Sequence, residues 1–166
     1  MSDLELSSVE RSRASVVRLM VPTDANFSGN VFGGSILSEI DRVAYVTASR
    51  HARRRTVTAS IDRVDFIAPV HVGDVVDFDA CLTWVGTTSM EVWVRVSAEE
   101  TLGGSPQLVV EAFVTMVAVG DDGRPARVPP LEPASDDERR RFEEGRARAE
   151  QRRRSRRRPE VRNDAV

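Results

Sequence analysis

The densest chemistry in the chain lies between Asn26 and Asp41, in the run N-F-S-G-N-V-F-G-G-S-I-L-S-E-I-D. Gly33 and Gly34 stand where turn-forming residues give way to a helical pattern. Backbone N–H groups in the first turn of a helix have no partner within the helix, and the dipole adds positive potential there. Such a corner takes a phosphate, or an oxyanion developing on a carbonyl. Asp41 follows two turns later, four residues from both Leu37 and Tyr45, at the edge of the apolar stripe. A carboxylate so placed is expected to be partly desolvated, as suits a general base. Each residue also has a plainer reading. Gly33-Gly34 makes a tight turn, Asp41 beside Arg42 is an ordinary surface charge, and Asn26 is a common turn residue. Taken singly, the plainer readings are favoured; their joint arrangement argues for a site.

Two periodicities position this run. Ser15 to Val21 reads as a strand stopped by Pro22, and Thr23 to Gly34 as a turn-rich loop. Ile36, Leu37, Ile40, Val43, Ala44, Thr47 and Ala48 recur at spacings of three and four, which predicts a helix from about Gly34 to Arg50. After Arg53-Arg54-Arg55 the period becomes two. Val57, Ala59 and Ile61 share one face while Val64, Phe66 and Ala68 share the opposite parity, so a β-bulge is expected across Asp62-Arg63. Val76, Phe78, Ala80, Leu82 and Trp84 alternate as one strand, and Met90, Val92, Val94 and Val96 as the next. Leu108 to Val119 is apolar at most positions and reads as a strand inside the sheet. The connections are too short for helical crossovers, so the fold class is α+β, a mainly antiparallel sheet around one long helix. From Ala134 the composition turns polar, and Ser135-Asp136-Asp137-Glu138 forms a capping box that opens a charged helix. Its few apolar residues, Phe142, Ala147 and Ala149, predict a helix that packs marginally or projects into solvent. The expected organisation is a flexible N-terminus (1–12), a folded domain (13–133) and a charged C-terminal helix and tail (134–166).

Composition narrows the function classes. The 166 residues are 40% hydrophobic, enough for one core, and no run approaches the ~18–20 apolar residues of a spanning helix. The start, MSDLELSSVERSR, lacks the apolar stretch of a secretory signal. Cys81 stands alone and only His51 and His71 accompany it, so neither an internal disulfide nor a metal site is expected. The expectation is a soluble, cytoplasmic chain away from the membrane. Residues 1–135 carry a formal charge of −6 and residues 136–166 one of +4. Clustered arginine suits nucleic acid. Eight acids are interleaved in the tail, however, and no aromatic–basic interleaving occurs there, so nucleic-acid binding is disfavoured against a solvated or oligomer-packing helix.

The pattern N-x-x-G-x-x-F-G-G-x-x-L-x-x-x-D, read from Asn26 to Asp41, resembles the signature of the hotdog acyl-CoA thioesterases of the acyl-CoA hydrolase family. Val57 to Asp74, Gly86 to Val94 and the later DDGRPARVPPLEP are similar to the same family, so the resemblance spans about residues 12–150. It implies a hotdog fold, a curved antiparallel sheet wrapped around the central helix. It also implies hydrolysis of acyl-CoA to a free acid and coenzyme A, with no cofactor, since coenzyme A is part of the substrate and product. Asn26 of one protomer and Asp41 of another would form the catalytic pair. Asp41 would activate water or attack the thioester directly, and Asn26 would orient that water or polarise the reacting group. The N–H of Gly34, with that of Gly33, would hold the oxyanion. Arg63 and the turn Thr87, Thr88 and Ser89 are the candidates for coenzyme A contacts. An ion pair of Arg63 with Asp62 or Asp65, and simple hairpin chemistry in the turn, stay open. The assembly implied is at least a homodimer, and in this family usually a hexamer built as a trimer of dimers. Two rivals are a hotdog dehydratase or hydratase and a non-catalytic acyl-CoA-binding or sensing module. The first would use a histidine in or beside the central helix, where this chain offers Asp41 and Glu39. The second has no need of both Asn26 and Asp41.

Overall fold

In the computed structural model, which describes residues 7–156, the long helix α2 (Gly33–Ala52) touches all five strands of one antiparallel sheet. The chain runs through β1 (Ser7–Ser8), a single helical turn α1 (Val9–Ser12), β2 (Ala14–Leu19) and a 3₁₀ turn at Pro22–Asp24 before reaching α2. Then follow β3 (Thr56–Phe66), β4 (Asp74–Val85), β5 (Ser89–Glu100), β6 (Gln107–Ala118), β7 (Leu131–Glu132) and α3 (Asp136–Arg156). The sheet order is β2-β4-β5-β6-β3, with β6 inside as its apolar sequence predicted and β3 at an edge. The inner faces carry Val76, Phe78, Leu82, Met90, Val92, Val94, Val110, Val114 and Met116, all essentially without exposure. Ile36, Ile40, Val43, Ala44 and Ala48 of α2 close the core against them. Burying each such aliphatic side chain contributes roughly 1.5–3 kcal/mol, which is why the 3.6-residue stripe dictates the helix position.

The expected elements form with shifted ends. β2 stops at Leu19, two residues before the expected end, and α2 extends to Ala52, where Arg53 takes the left-handed conformation (φ 51°) that terminates it. The bulge expected across Asp62-Arg63 is present as a register shift between Ile61 and Arg63, and a second shift lies between Thr58 and Ser60. Residues 7–12, expected to be flexible, are ordered: β1 pairs in parallel with β7, and Val9 and Ser12 are buried. The remainder of the expected flexible segment lies outside the described residues.

The larger correction concerns α3. The capping box is made, with Ser135 Oγ accepting from Glu138 N (3.2 Å) and Glu138 Oε2 from Ser135 N (3.4 Å). The helix does not project into solvent. It lies across the outer face of the sheet, and its contact stripe is Arg141, Gly145, Arg148 and Arg152, spaced four, three and four. The Arg141 and Arg148 guanidinium groups sit 4.4 and 4.1 Å from the ring centroids of Trp93 and Phe113, respectively. Gly145 allows the closest approach, since a methyl there would come within 2.7 Å of Trp84 Cβ. Trp84 faces α3 because the β4–β5 register shifts between Leu82 and Trp84 and turns it out of the inner row predicted for it. Along β4 the alternation of burial ends at Ala80, and every residue from Cys81 onward is buried.

Candidate active site

The entry to α2 is open. Its N-cap is Phe32, which has no side-chain acceptor to give, and the first helical-turn bond is Ser35 N to Phe32 O at 2.9 Å. Among the described residues the N–H groups of Gly33 and Gly34 find no acceptor. They are therefore available for a developing oxyanion. Both glycines pass close to aromatic side chains. A methyl on Gly34 would lie 2.2 Å from the Phe32 ring, and one on Gly33 would lie 3.3 Å from Phe66. Beside them opens a cavity of about 320 Å³ lined by Asn26, Asn30, Gly33, Ile36 and Phe66, among others.

Ion pairs hold the preceding loop. Arg18 on β2 donates to Glu39 on α2 (2.7 Å) and to Asp24 (3.2 Å), and Phe32 N donates to Asp24 O (2.7 Å). Asn26 Oδ1 accepts from Ser28 N (2.8 Å) and Asn30 N (3.2 Å). The carboxamide oxygen is thus used within the loop, and its NH₂ is what Asn26 can offer a ligand. Glu39, the other acid considered on this helix, is buried and doubly paired, to Arg18 (2.7 Å) and Arg42 (2.5 Å). Asp41 is half-buried and receives Thr58 Oγ1 on its Oδ1 at 2.5 Å. Thr58 was not among the sequence candidates. Its sole signal was a hydroxyl within the first residues of a strand, and such residues are common.

Within one chain the catalytic candidates do not meet. Gly33 and Asp41 are eight positions apart on the helix, about 12 Å along the axis. β3 runs between the two places, with Phe66 beside Gly33 and Thr58 beside Asp41. Each chain therefore places the glycine candidates and the Asp41–Thr58 pair at opposite ends of its edge strand.

The coenzyme A candidates fall elsewhere. Arg63 is exposed and its Nε pairs with Asp65 at 2.6 Å, one of the pairings left open. The turn between β4 and β5 is pinned by Val128 N on Thr87 O (3.1 Å) and Ala118 N on Thr88 O (2.9 Å). Thr87 lines a cavity of about 420 Å³ with Arg127 and Phe142, and Ser89 lines one of about 100 Å³ with Arg152 and Arg153. The turn lies at the Thr58 end of the sheet, since Ser89 aligns with Val117 and Val57, one row from Thr58.

His51 is buried at the end of α2, donating from Nε2 to Pro129 O (2.8 Å), and burial lowers its pKa. His71 sits in the β3–β4 connection near Asp74. Among the described residues no group of three or more His, Cys, Asp or Glu is placed to hold a metal, and no helix is long and apolar enough to cross a membrane.

Comparison with known proteins gives one answer. The thioesterase superfamily profile matches residues 28–104. The uncharacterized acyl-CoA thioester hydrolase YkhA of Bacillus subtilis is 44% identical over 117 residues, 70% of this chain and 68% of that one. A crystal structure described as an apo-hexameric acyl-CoA thioesterase superposes with a TM-score of 0.86 at 44% identity, covering 91% of this chain and 97% of that one. The Staphylococcus aureus acyl-CoA hydrolase, solved with butyryl coenzyme A, coenzyme A and coenzyme A disulfide, gives a TM-score of 0.85 at 34% identity, covering 92% and 93%. That enzyme has also been solved with an asparagine, an aspartate and a threonine each replaced by alanine, successive positions 15 and 17 residues apart. By sequence and by fold, the chain belongs to the hotdog acyl-CoA thioesterases of the thioesterase superfamily.

Proposed function

We propose that two copies of this chain build each acyl-CoA hydrolysis site, one giving Asn26, Gly33 and Gly34 and the other giving Asp41 and Thr58. The observation that carries this reading is the placement of the two half-sites at opposite ends of β3. Antiparallel pairing of that edge strand with its copy exchanges the ends, setting the Gly33 end of one protomer against the Asp41 end of its partner. The edge suits such pairing. Among the described residues it has no strand beyond it, and it exposes Val57 (49%), Ile61 (36%) and Phe66 (54%), apolar surface that a lone domain would leave wet. The spacing of the residues substituted in the S. aureus enzyme, 15 then 17, is also that of Asn26, Asp41 and Thr58.

In this site Thr58 holds Asp41 Oδ1, leaving Oδ2 to take a proton from water. The water oxygen bonds to the thioester carbonyl carbon, and the carbonyl oxygen takes the charge and is held by the N–H groups of Gly33 and Gly34. The Asn26 NH₂ donates to the same oxygen or orients the water. The tetrahedral intermediate then expels the thiolate of coenzyme A, which recovers the proton from Asp41. The atoms balance with water as the sole co-reactant. Thr87, Thr88 and Ser89, at the Asp41 end of the sheet, and the exposed guanidinium of Arg63 are assigned to the coenzyme A arm. The hexameric state of the related thioesterase supports a trimer of dimers here. Burial raises the pKa of the lone Cys81 thiol and makes it inert, which suits a cytoplasmic protein.

The test is a thiol-release assay across acyl-CoA chain lengths with wild type and Asp41→Asn side by side. Asp41→Asn is expected to lower kcat by about 10²–10⁴-fold, the range typical of a lost general base, while the oligomer and coenzyme A binding persist. A near-wild-type rate in that variant overturns the assignment. A folded wild-type oligomer that coenzyme A stabilises but that releases no thiol at any chain length would make the protein a binding module.

A further inference from the structure

We infer that Arg152 of α3, through Asp62, is a positioning residue for Asp41: it fixes the bulge in β3 that sets Thr58 against the carboxylate. The inference rests on the proposed role of Asp41 and Thr58. Within one chain β3 pairs with β6 alone, and two register shifts interrupt that pairing within six residues. Ala59 and Asp62 are the extra residues at these shifts and have no partner in the ladder with β6. A slide of one residue would turn Thr58 to the other face, because side chains alternate along a strand.

What holds the second bulge is the Asp62 carboxylate. It accepts from Ser60 Oγ (2.8 Å), Thr115 Oγ1 (3.0 Å) and Arg152 Nη1 (2.8 Å). The same Nη1 reaches Glu91 Oε2 on β5 at 3.1 Å. Glu91 has no exposure and is itself held by Arg148, at 2.8 Å to Oε1, and by Thr83 Oγ1, also at 2.8 Å. One nitrogen thus ties the bulged edge strand to a buried acid in the middle of the sheet. Arg152 is 17% exposed and Asp62 23%, so the link is only partly screened by solvent. Arg152 touches none of the proposed catalytic residues. Its path to the chemistry is Asp62, the β3 register, Thr58 and then Asp41.

A double-mutant cycle separates this role from ordinary stabilisation. Arg152→Gln is expected to lower kcat about tenfold with KM changed by less than about twofold, the signature of a misplaced catalytic group. In a Thr58→Val background, where the hydroxyl is already gone, the same substitution is expected to change kcat by less than about twofold. Arg152→Lys, whose single ammonium can bridge both carboxylates, is expected to restore most of the rate. An equal tenfold loss in both backgrounds, or a KM effect alone, overturns the inference. If Arg152→Gln fails to fold, Asp62→Ala carries the same cycle, since it leaves the Arg148–Glu91 anchor of α3 intact. Failure of the underlying site assignment looks different: Asp41→Asn itself would then keep its rate.

Discussion

α2 and α3 have nearly the same length, 20 and 21 residues, and lie on opposite faces of one sheet, yet they are attached by opposite means. α2 enters the core with Ile36, Ile40, Val43, Ala44 and Ala48, and its polar contacts, such as Arg18 to Glu39, lie at its margins. α3 has almost no apolar surface to bury beyond Ala149 and part of Phe142. It is held by guanidinium groups on aromatic faces, by a glycine that lets it approach closely, and by a buried acid on the sheet. Apolar burial is non-directional and scales with area. A buried charge needs specific partners in specific places. The first kind of attachment leaves a periodic trace in sequence and the second does not.

The contrast can be broken from either side. The largest effect is expected for Ile40→Ala, which opens a cavity in a fully buried position. About 2–5 kcal/mol should be lost, with unfolding in denaturant remaining a single transition because α2 touches every strand. Glu91→Gln should be smaller, about 2 kcal/mol, since it weakens charged hydrogen bonds to Arg148 and Arg152. Its loss should be local to α3, read as faster amide exchange in residues 136–156 while α2 stays protected. Equal exchange in both helices would mean that α3 is not separately attached.

The smallest effect is a pH slope at the far end of α2. Burial lowers the pKa of His51 below its usual value of 6.5, so the unfolded chain binds the proton more readily than the folded one. Stability is therefore complete above the unfolded value and falls as pH drops through it toward the folded value, by at most about 1.4 kcal/mol per pH unit. Melting temperature measured from pH 7.5 to 5 should fall more steeply for wild type than for His51→Gln. Parallel curves would show that His51 does not supply the slope.

Much of the fold was legible because the apolar spacing of α2 and the two-residue alternation of β4 and β5 each admit one buried face. The Ser135–Glu138 box marked the start of α3, and the parity change near Asp62 marked a bulge, since both are local rules. The Asn26–Asp41 run located the candidate site, including the open helix entry at Gly33 and Gly34. The docking stripe Arg141, Gly145, Arg148 and Arg152 has helical spacing too, but arginine reads as solvated unless its partners Trp93, Phe113 and Glu91 are known to face it.

By itself, then, the sequence determined the longer helices and strands from β2 to β6 and the start of α3, which face of α2 is buried, and that an Asn, a Gly pair and an Asp lie along one loop and helix. Those properties depend on neighbours within a few residues. Tertiary structure alone decided that Arg18 of β2 pairs with Glu39, that Thr58 seats Asp41, and that α3 reaches across to Asp62 on the edge strand. Each of these joins residues from separate elements, in one case 90 positions apart. An ion pair or hydrogen bond exists only within about 3 Å, a distance that folding sets and local pattern does not encode.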